Sequence, residues 1–371
     1  MIRVLHSVSN MDRAGIETML MNYYRNLNRS EIQFDFLCNK GKPGAYDDEI
    51  MAMGGRIYRT PGLNPLKYPR YLKYMKTLFQ ENPEYQIVEA HNGALGVYAL
   101  YAAKRNNIPV RIFHAHGASI ARDWKMPLKL FCKMLLPLNM NQQFTCGIAA
   151  GYCYFGKGTM EKNDFVLVPN AIEIERFRFD DAVRRKIRES HGLDGKHVIG
   201  HVGRFSAEKN HSFLIEIFSQ IRKRDSAACL VLIGDGSQME MIQQKVQEMG
   251  LKDSVRFLGN ISNVNEWYQA FDVFVLPSVR EGLPVVGVEA QTADLPCIFS
   301  DSITSEIGIL EKTRFLALSE GCDRWSEVIL EALADKARKD VGSVIAEYGY
   351  DISAEAEKLQ TYYLKLAGVQ Q

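Results

Sequence analysis

Short β-branched runs alternate with helical stretches along this chain, and the alternation starts a second time at residue 197. A strand, a helix and a further strand close well only as a parallel sheet with the crossover helices packed on its faces. Residues 2–7, 34–38, 56–58, 87–90 and 111–115 read as strands of a first set, with helical spacing over 17–27, 71–80 and 95–106. Residues 197–202, 229–234, 255–257, 273–276 and 297–300 read as strands of a second, with helices over 212–222, 239–249 and 285–292. Two doubly wound α/β domains are expected, 1–172 and 173–348, followed by a helical segment over 349–371 that returns to the first. The polar stretch 173–195 reads as their connector. Length agrees, because 371 residues exceed the roughly 250 at which single cores stop growing. In such sheets ligands sit at the carboxyl ends of the strands, so both domains are expected to offer loops to one central cleft.

Composition narrows the class. Formal charge is +1, which argues against a general nucleic-acid binder, and hydrophobic residues at 46% supply two cores. Residues 1–180 carry 23 basic against 16 acidic side chains (+7) and the rest 22 against 28 (−6), so the first half is suited to an anionic surface. The basic, aromatic stretches 67–76 and 124–133 carry that expectation to a peripheral contact with an anionic membrane. Neither an apolar signal core nor a spanning segment is read from the sequence. The seven cysteines show no C-x-x-C pair, the pattern of a reducing cytoplasm, possible contact with the inner face of the cell membrane included.

Two clusters carry chemistry. In Gly203-Arg204-Phe205-Ser206-Ala207-Glu208-Lys209-Asn210, Ser206 reads as a helix N-cap with Lys209 in the first turn. A cation there opposes the helix dipole, so an anion is expected beside it; Arg204 reaches the same point, and two cations with free amides neutralise a pyrophosphate without metal. In Glu281-Gly282-Leu283-Pro284-Val285-Val286-Gly287-Val288-Glu289, Pro284 reads as the first helical residue, with Gly282 and Leu283 offering amides ahead of it. Glu289 lies inside an apolar helix and needs a partner, for which a ribose diol is suited. The two carboxylates are expected about 12 Å apart, too far for the paired acids of a retaining glycosidase. The competing readings are solvated surface charges for the cations, and a capping and a bridged core carboxylate for the acids.

The Glu281 to Glu289 spacing, the Gly-Arg and Lys before it and Leu-Ile-Gly-Asp-Gly at 232–236 resemble family 4 glycosyltransferases, above all bacterial capsular and exopolysaccharide enzymes. The resemblance implies the GT-B fold, two Rossmann-like domains facing a central cleft. It also implies transfer of a hexose or N-acetylhexosamine from a nucleotide-sugar, by family frequency a UDP-sugar, to a glycan or lipid-linked acceptor with retention. Glu281 then contacts the donor hexose, Glu289 binds ribose, and Arg204 and Lys209 hold the diphosphate beside Gly203. The base lies at Gly259-Asn260-Ile261, with Ile261 on the donor side. Where the family has a Gly-Gly-x-Glu loop this chain has Ala14-Gly15-Ile16-Glu17; Gly15 still brings an amide to a phosphate, and Glu17 falls on the acceptor side. His91 and His116, at predicted strand ends, match family positions near donor sugar and acceptor, and His116 is placed with the catalytic residues; His114 reads as structural. No D-x-D motif is present, and neither a cofactor nor a metal is expected. A dinucleotide oxidoreductase is disfavoured because Gly234-Asp235-Gly236 lacks the third glycine of its fingerprint. A nucleotide-sugar epimerase of the same fold and a non-catalytic binding subunit stand as alternatives.

Overall fold

The computed structural model describes residues 1–62, 68–120 and 124–369. Within them, β1 (Ile2–Val8), β2 (Ile32–Cys38), β3 (Ile57–Arg59), β4 (Tyr85–Ala90), β5 (Val110–Ala115), β6 (Gln142–Thr145) and β7 (Val166–Leu167) form a parallel sheet in the order β3-β2-β1-β4-β5-β6-β7. A second parallel sheet has the order β10-β9-β8-β11-β12-β13, built from β8 (His197–Val202), β9 (Ala228–Ile233), β10 (Val255–Gly259), β11 (Val273–Leu276), β12 (Cys297–Ser300) and β13 (Thr313–Leu316).

Helices cover both faces of each sheet, so the strands are near-continuous apolar runs rather than alternating ones. In β1, Val4 faces a layer with Met19, Tyr23 and Phe34, while Leu5 faces the opposite layer with Met75, Val88 and Leu100. In β9, Val231 and Leu232 divide the same way between two layers. β6 was missed because Gln142 and Gln143 hide the buried Phe144, and β13 because its Arg314 is exposed at the sheet edge.

Met1–Ala171 and the C-terminal helix Ile352–Leu366 belong to one compact unit, Ile172–Asp351 to the other. The terminal helix joins the first unit through Ile352, Ala356, Leu359 and Tyr363, which share a core layer with the helix Gly15–Asn26. The stretch expected as a connector is instead two helices, Ile174–Phe177 and Asp181–Ser190, whose Ile174, Phe177 and Ile187 enter the second unit's core. Its charge misled, because Asp180 accepts from the amides of Ala182 and Val183 and thereby starts a helix with one buried face. The acidic run at Asp47 is likewise helical. It opens the helix Asp47–Ala52, and Asp47 is buried against Arg59 and the Gly44 amide.

Candidate active site

In each sheet the strand order reverses once, between β1 and β4 in the first unit and between β8 and β11 in the second. The loops leaving such neighbours diverge, which opens a crevice at their carboxyl ends. Arg204, Lys209 and Glu281 in the second unit, and Glu17 and His91 in the first, follow the strands that flank these two reversals.

In the second unit, β8 ends at Val202 and the chain turns through Gly203 into a short 3-10 turn, Ala207–Lys209. Asn210 at φ 56° then breaks the path, and the α-helix begins only at His211. Lys209 therefore precedes the helix, contrary to the expected place in its first turn, and Ser206 makes no side-chain cap bond there. What holds Lys209 is Glu281 in the loop after β11: Nζ and Oε1 are 2.5 Å apart, with each side chain 17% exposed. Ser278 Oγ donates to the same carboxylate oxygen at 3.0 Å, and the Val279 amide donates to the Glu208 carbonyl at 2.8 Å, tying the two loops together. Arg204 is exposed beside them. The three charges sum to +1, a net cation held in place before any anion arrives.

The turn depends on glycine. A Cβ on Gly203 would stand 3.2 Å from both His201 Nε2 and Lys209 Cδ, and one on Gly234, at φ 134°, would meet the Gly203 carbonyl oxygen at 2.1 Å. His201 is fixed behind the turn by donating Nδ1–H to the Val275 carbonyl at 2.8 Å, and burial lowers its pKa to about 4, so it is neutral.

Glu289 lies in the helix Val285–Thr292, where Pro284 is the cap rather than the first helical residue. The Tyr268 hydroxyl donates to Glu289 Oε2 at 2.8 Å, so the partner its burial demands is supplied within the protein. Burial raises the carboxyl pKa to about 7 against the lowering effect of Tyr268. Leu283 is a core side chain, Gly282 stands half-exposed before it, and Ile261 packs half-buried on the same core beyond the left-handed Gly259.

In the first unit a pocket of about 200 Å³ is lined by Val8 and Ser9 after β1, Ile16 and Glu17 in the helix Gly15–Asn26, and His91, Asn92 and Gly93 after β4. The structure thus brings Glu17 and His91 together. Gly15 is the first helical residue, two earlier than the helix read from sequence, and a Cβ there would meet nothing within 4 Å. His116 is joined to His91, its Nε2 2.8 Å from His91 Nδ1. Behind them His91 Nε2 lies 3.0 Å from His6 Nδ1, and His114 Nδ1 lies 2.8 Å from Glu89 Oε1, whose other oxygen accepts from Tyr363. Burial lowers the pKa of His6 to about 4 and of His114 to about 3, drives His91 and His116 well below their ordinary value, and raises that of Glu89. These imidazoles are neutral and stand in a hydrogen-bonded row, His116 to His91 to His6. Ligand atoms of His91, His114 and His116 lie within 4.8 Å of one another, as do those of His6, Glu89 and His91, which is compatible with metal ligation; both His91 nitrogens already serve hydrogen bonds.

Sequence reasoning gave no role to His6, Glu89, Tyr268, Ser278 or His201. The available signal at Glu89 was the one used for Glu289, a carboxylate inside an apolar run. Tyr268 and Tyr363 left no trace, because their partners lie 21 and 274 residues away.

Two Rossmann-like parallel-sheet units are the architecture of GT-B glycosyltransferases. The profile described as "Glycosyl transferases group 1" matches residues 183–350 and that of the "Glycosyl transferase 4-like domain" matches 14–136. The chain is 37% identical over 369 residues to EpsF of Bacillus subtilis (strain 168), assigned as a glycosyltransferase, covering 97% of this chain and 96% of that one. It belongs to this glycosyltransferase family and is a hexosyltransferase by that membership. It is also 23% identical to the UDP-Gal:alpha-D-GlcNAc-diphosphoundecaprenol alpha-1,3-galactosyltransferase of Escherichia coli, covering 95% and 94% of the two chains. In fold it is similar to Anabaena Alr3699/HepE, solved with UDP and glucose, at a TM-score of 0.80 and 16% identity over 98% and 99% of the chains. Membership favours transfer over the epimerase alternative.

Proposed function

We propose that this chain transfers a hexose or N-acetylhexosamine from a UDP-sugar to a glycan or lipid-linked glycan, with retention, in cell-surface polysaccharide synthesis. The observation that carries the reading is the Lys209–Glu281 pair at the second unit's switch point, with Arg204 exposed beside it. Lys209 and Arg204 hold the diphosphate and neutralise the charge that develops as the sugar leaves. Glu281, oriented by Lys209 and Ser278, accepts from the donor hexose hydroxyls. Glu289 binds the ribose, shifting its hydrogen bonding from Tyr268 to the diol, and Ile261 lies under the base.

In the first unit Glu17 and His91 serve as the acceptor- and sugar-side groups, His116 as a catalytic group, and Gly15 offers a backbone amide. No side chain in this scheme acts as covalent nucleophile. The leaving phosphate takes the acceptor proton on the same face, and no metal or cofactor takes part. A lipid-linked acceptor fits a cytoplasmic enzyme in peripheral contact with the inner face of the cell membrane. The test is a panel of UDP- and GDP-sugars with an undecaprenyl-diphosphate-linked sugar as acceptor. Transfer from one or more UDP-sugars supports the reading, and transfer from GDP-sugars alone overturns the choice of base.

A further inference from the structure

The helix Val264–Ala270 carries a phenol with two acceptors in reach. Tyr268 is fully buried, its ring packed among Phe177, Phe271 and Phe274. Its hydroxyl lies 2.8 Å from Glu289 Oε2 and 3.3 Å from the Val286 carbonyl, both on the helix Val285–Thr292. One hydroxyl proton serves one of these acceptors at a time, and rotation about the C–O bond passes it from the carboxylate to the carbonyl. The ring itself stays in place. The two helices are also held together, because Arg338 donates to the Tyr268 carbonyl at 3.1 Å and, through Nε, to the Ala293 carbonyl at 2.8 Å.

Glu289 is half-buried, and burial raises its pKa to about 7. Two groups favour the ionised form against that effect, the Tyr268 hydroxyl and, more weakly, the charge of Arg176 on the helix Ile174–Phe177. Two further elements pack on the Val285–Thr292 helix. β12 brings the Cys297 thiol, which burial keeps neutral, and the helix Gly342–Glu347 turns Ile345 inward and Glu347 to solvent. Only the ionised carboxylate accepts from both hydroxyls of a vicinal diol, so the phenol acts on the form of Glu289 that a ribose needs.

We infer that Tyr268 is a positioning residue for the nucleotide: its hydroxyl holds Glu289 in the empty site and turns to the Val286 carbonyl when a ribose diol takes the carboxylate. The exchange leaves the buried phenol with a partner in both states, which avoids the penalty of an unpaired hydroxyl in the core. The inference rests on the reading of Glu289 as the ribose-binding residue. It also has a signature of its own. Without the phenol, Glu289 keeps its proton to higher pH, yet once ionised it has no resident donor to release, so nucleotide binding is weakened near neutrality and not in alkali.

The test is calorimetric binding of UDP and GDP to the full chain at pH 6, 7, 8 and 9, repeated with the 2′,3′-dideoxy form of the tighter nucleotide. The ratio of the two affinities isolates the diol, since titration of the diphosphate affects both ligands alike. In wild type the ratio is expected to rise through pH 7. Tyr268→Phe keeps the ring in its packing; its rise is expected about one pH unit higher, with a ratio about fivefold below wild type at pH 7 and equal or greater at pH 9. Glu289→Gln is expected to give a low ratio at every pH. A Tyr268→Phe ratio that matches wild type throughout, or falls short by one factor at every pH, overturns the inference while a low, flat Glu289→Gln ratio keeps the donor reading. A wild-type profile in Glu289→Gln, or no binding of either nucleotide, removes the ribose reading and the inference with it.

Discussion

Glu281 and Glu289 are carboxylates of one loop-helix segment held by different partners, an ammonium for the first and a phenol for the second. Glu281 is held by an ammonium and a hydroxyl, so it serves as a fixed acceptor. Glu281→Gln keeps the size and the Ser278 contact but gives up the charge; turnover is expected to fall about 10²–10³-fold, comparable to loss of one preorganised group in other enzymes. Steady-state kinetics on a folded variant checks it, and wild-type rates remove Glu281 from the site. Glu289 has a pKa raised from the ordinary 4.5 to about 7. Between these values the unfolded chain has released the proton and the folded one keeps it, so this group's contribution to stability declines as pH rises from 4.5 through 7. Glu289→Gln removes that decline, and its stability relative to wild type is expected to be on the order of 2 kcal/mol greater at pH 8 than at pH 5. Denaturant titrations at the two pH values measure it, and an equal difference at both contradicts the half-buried, proton-retaining carboxyl.

At the scale of elements, the loops after β8 and β9 are locked backbone to backbone. Gly234→Ala drives a Cβ into the Gly203 carbonyl and is expected to cost more than about 2 kcal/mol, read as a drop in unfolding midpoint. In β1 and at the ends of β4 and β5 the neutral histidines work in the opposite pH sense to Glu289. Below pH 6.5 an unfolded His6 takes up a proton that the folded one, at about 4, refuses, so its contribution is lost as pH falls. His6→Asn is expected to lose less stability than wild type between pH 7 and pH 5, and equal losses contradict the assignment. Strand-helix alternation made the fold legible, and β8, β11, β12 and the helix Val285–Thr292 fall where the periodicity put them. Element ends were less legible, because Asn210 in a left-handed conformation and Pro284 at a cap are choices the surrounding packing makes. The site was legible where one loop holds its members, as in Arg204 and Lys209. It was not where distant strands bring them together: the His6–His91–His116 chain joins three strand ends, and no local pattern announces it.

For the whole molecule, the basic excess lies in residues 1–180, while the remainder, acidic on balance, carries the Lys209–Glu281 pair and Arg204. The described helices include none long and apolar enough to cross a membrane; of the basic stretch 67–76, Lys67 lies outside the described residues. The central claim is that protein cations, not a metal, hold the leaving diphosphate. It is tested by following UDP release from the preferred donor, in EDTA and with added magnesium or manganese, for wild type, Lys209→Ala and Arg204→Ala. Wild-type turnover unchanged by EDTA is expected, with losses of about 10²–10³-fold in each variant that neither metal restores. Turnover abolished by EDTA and recovered with either metal, or variants as fast as wild type, would contradict it.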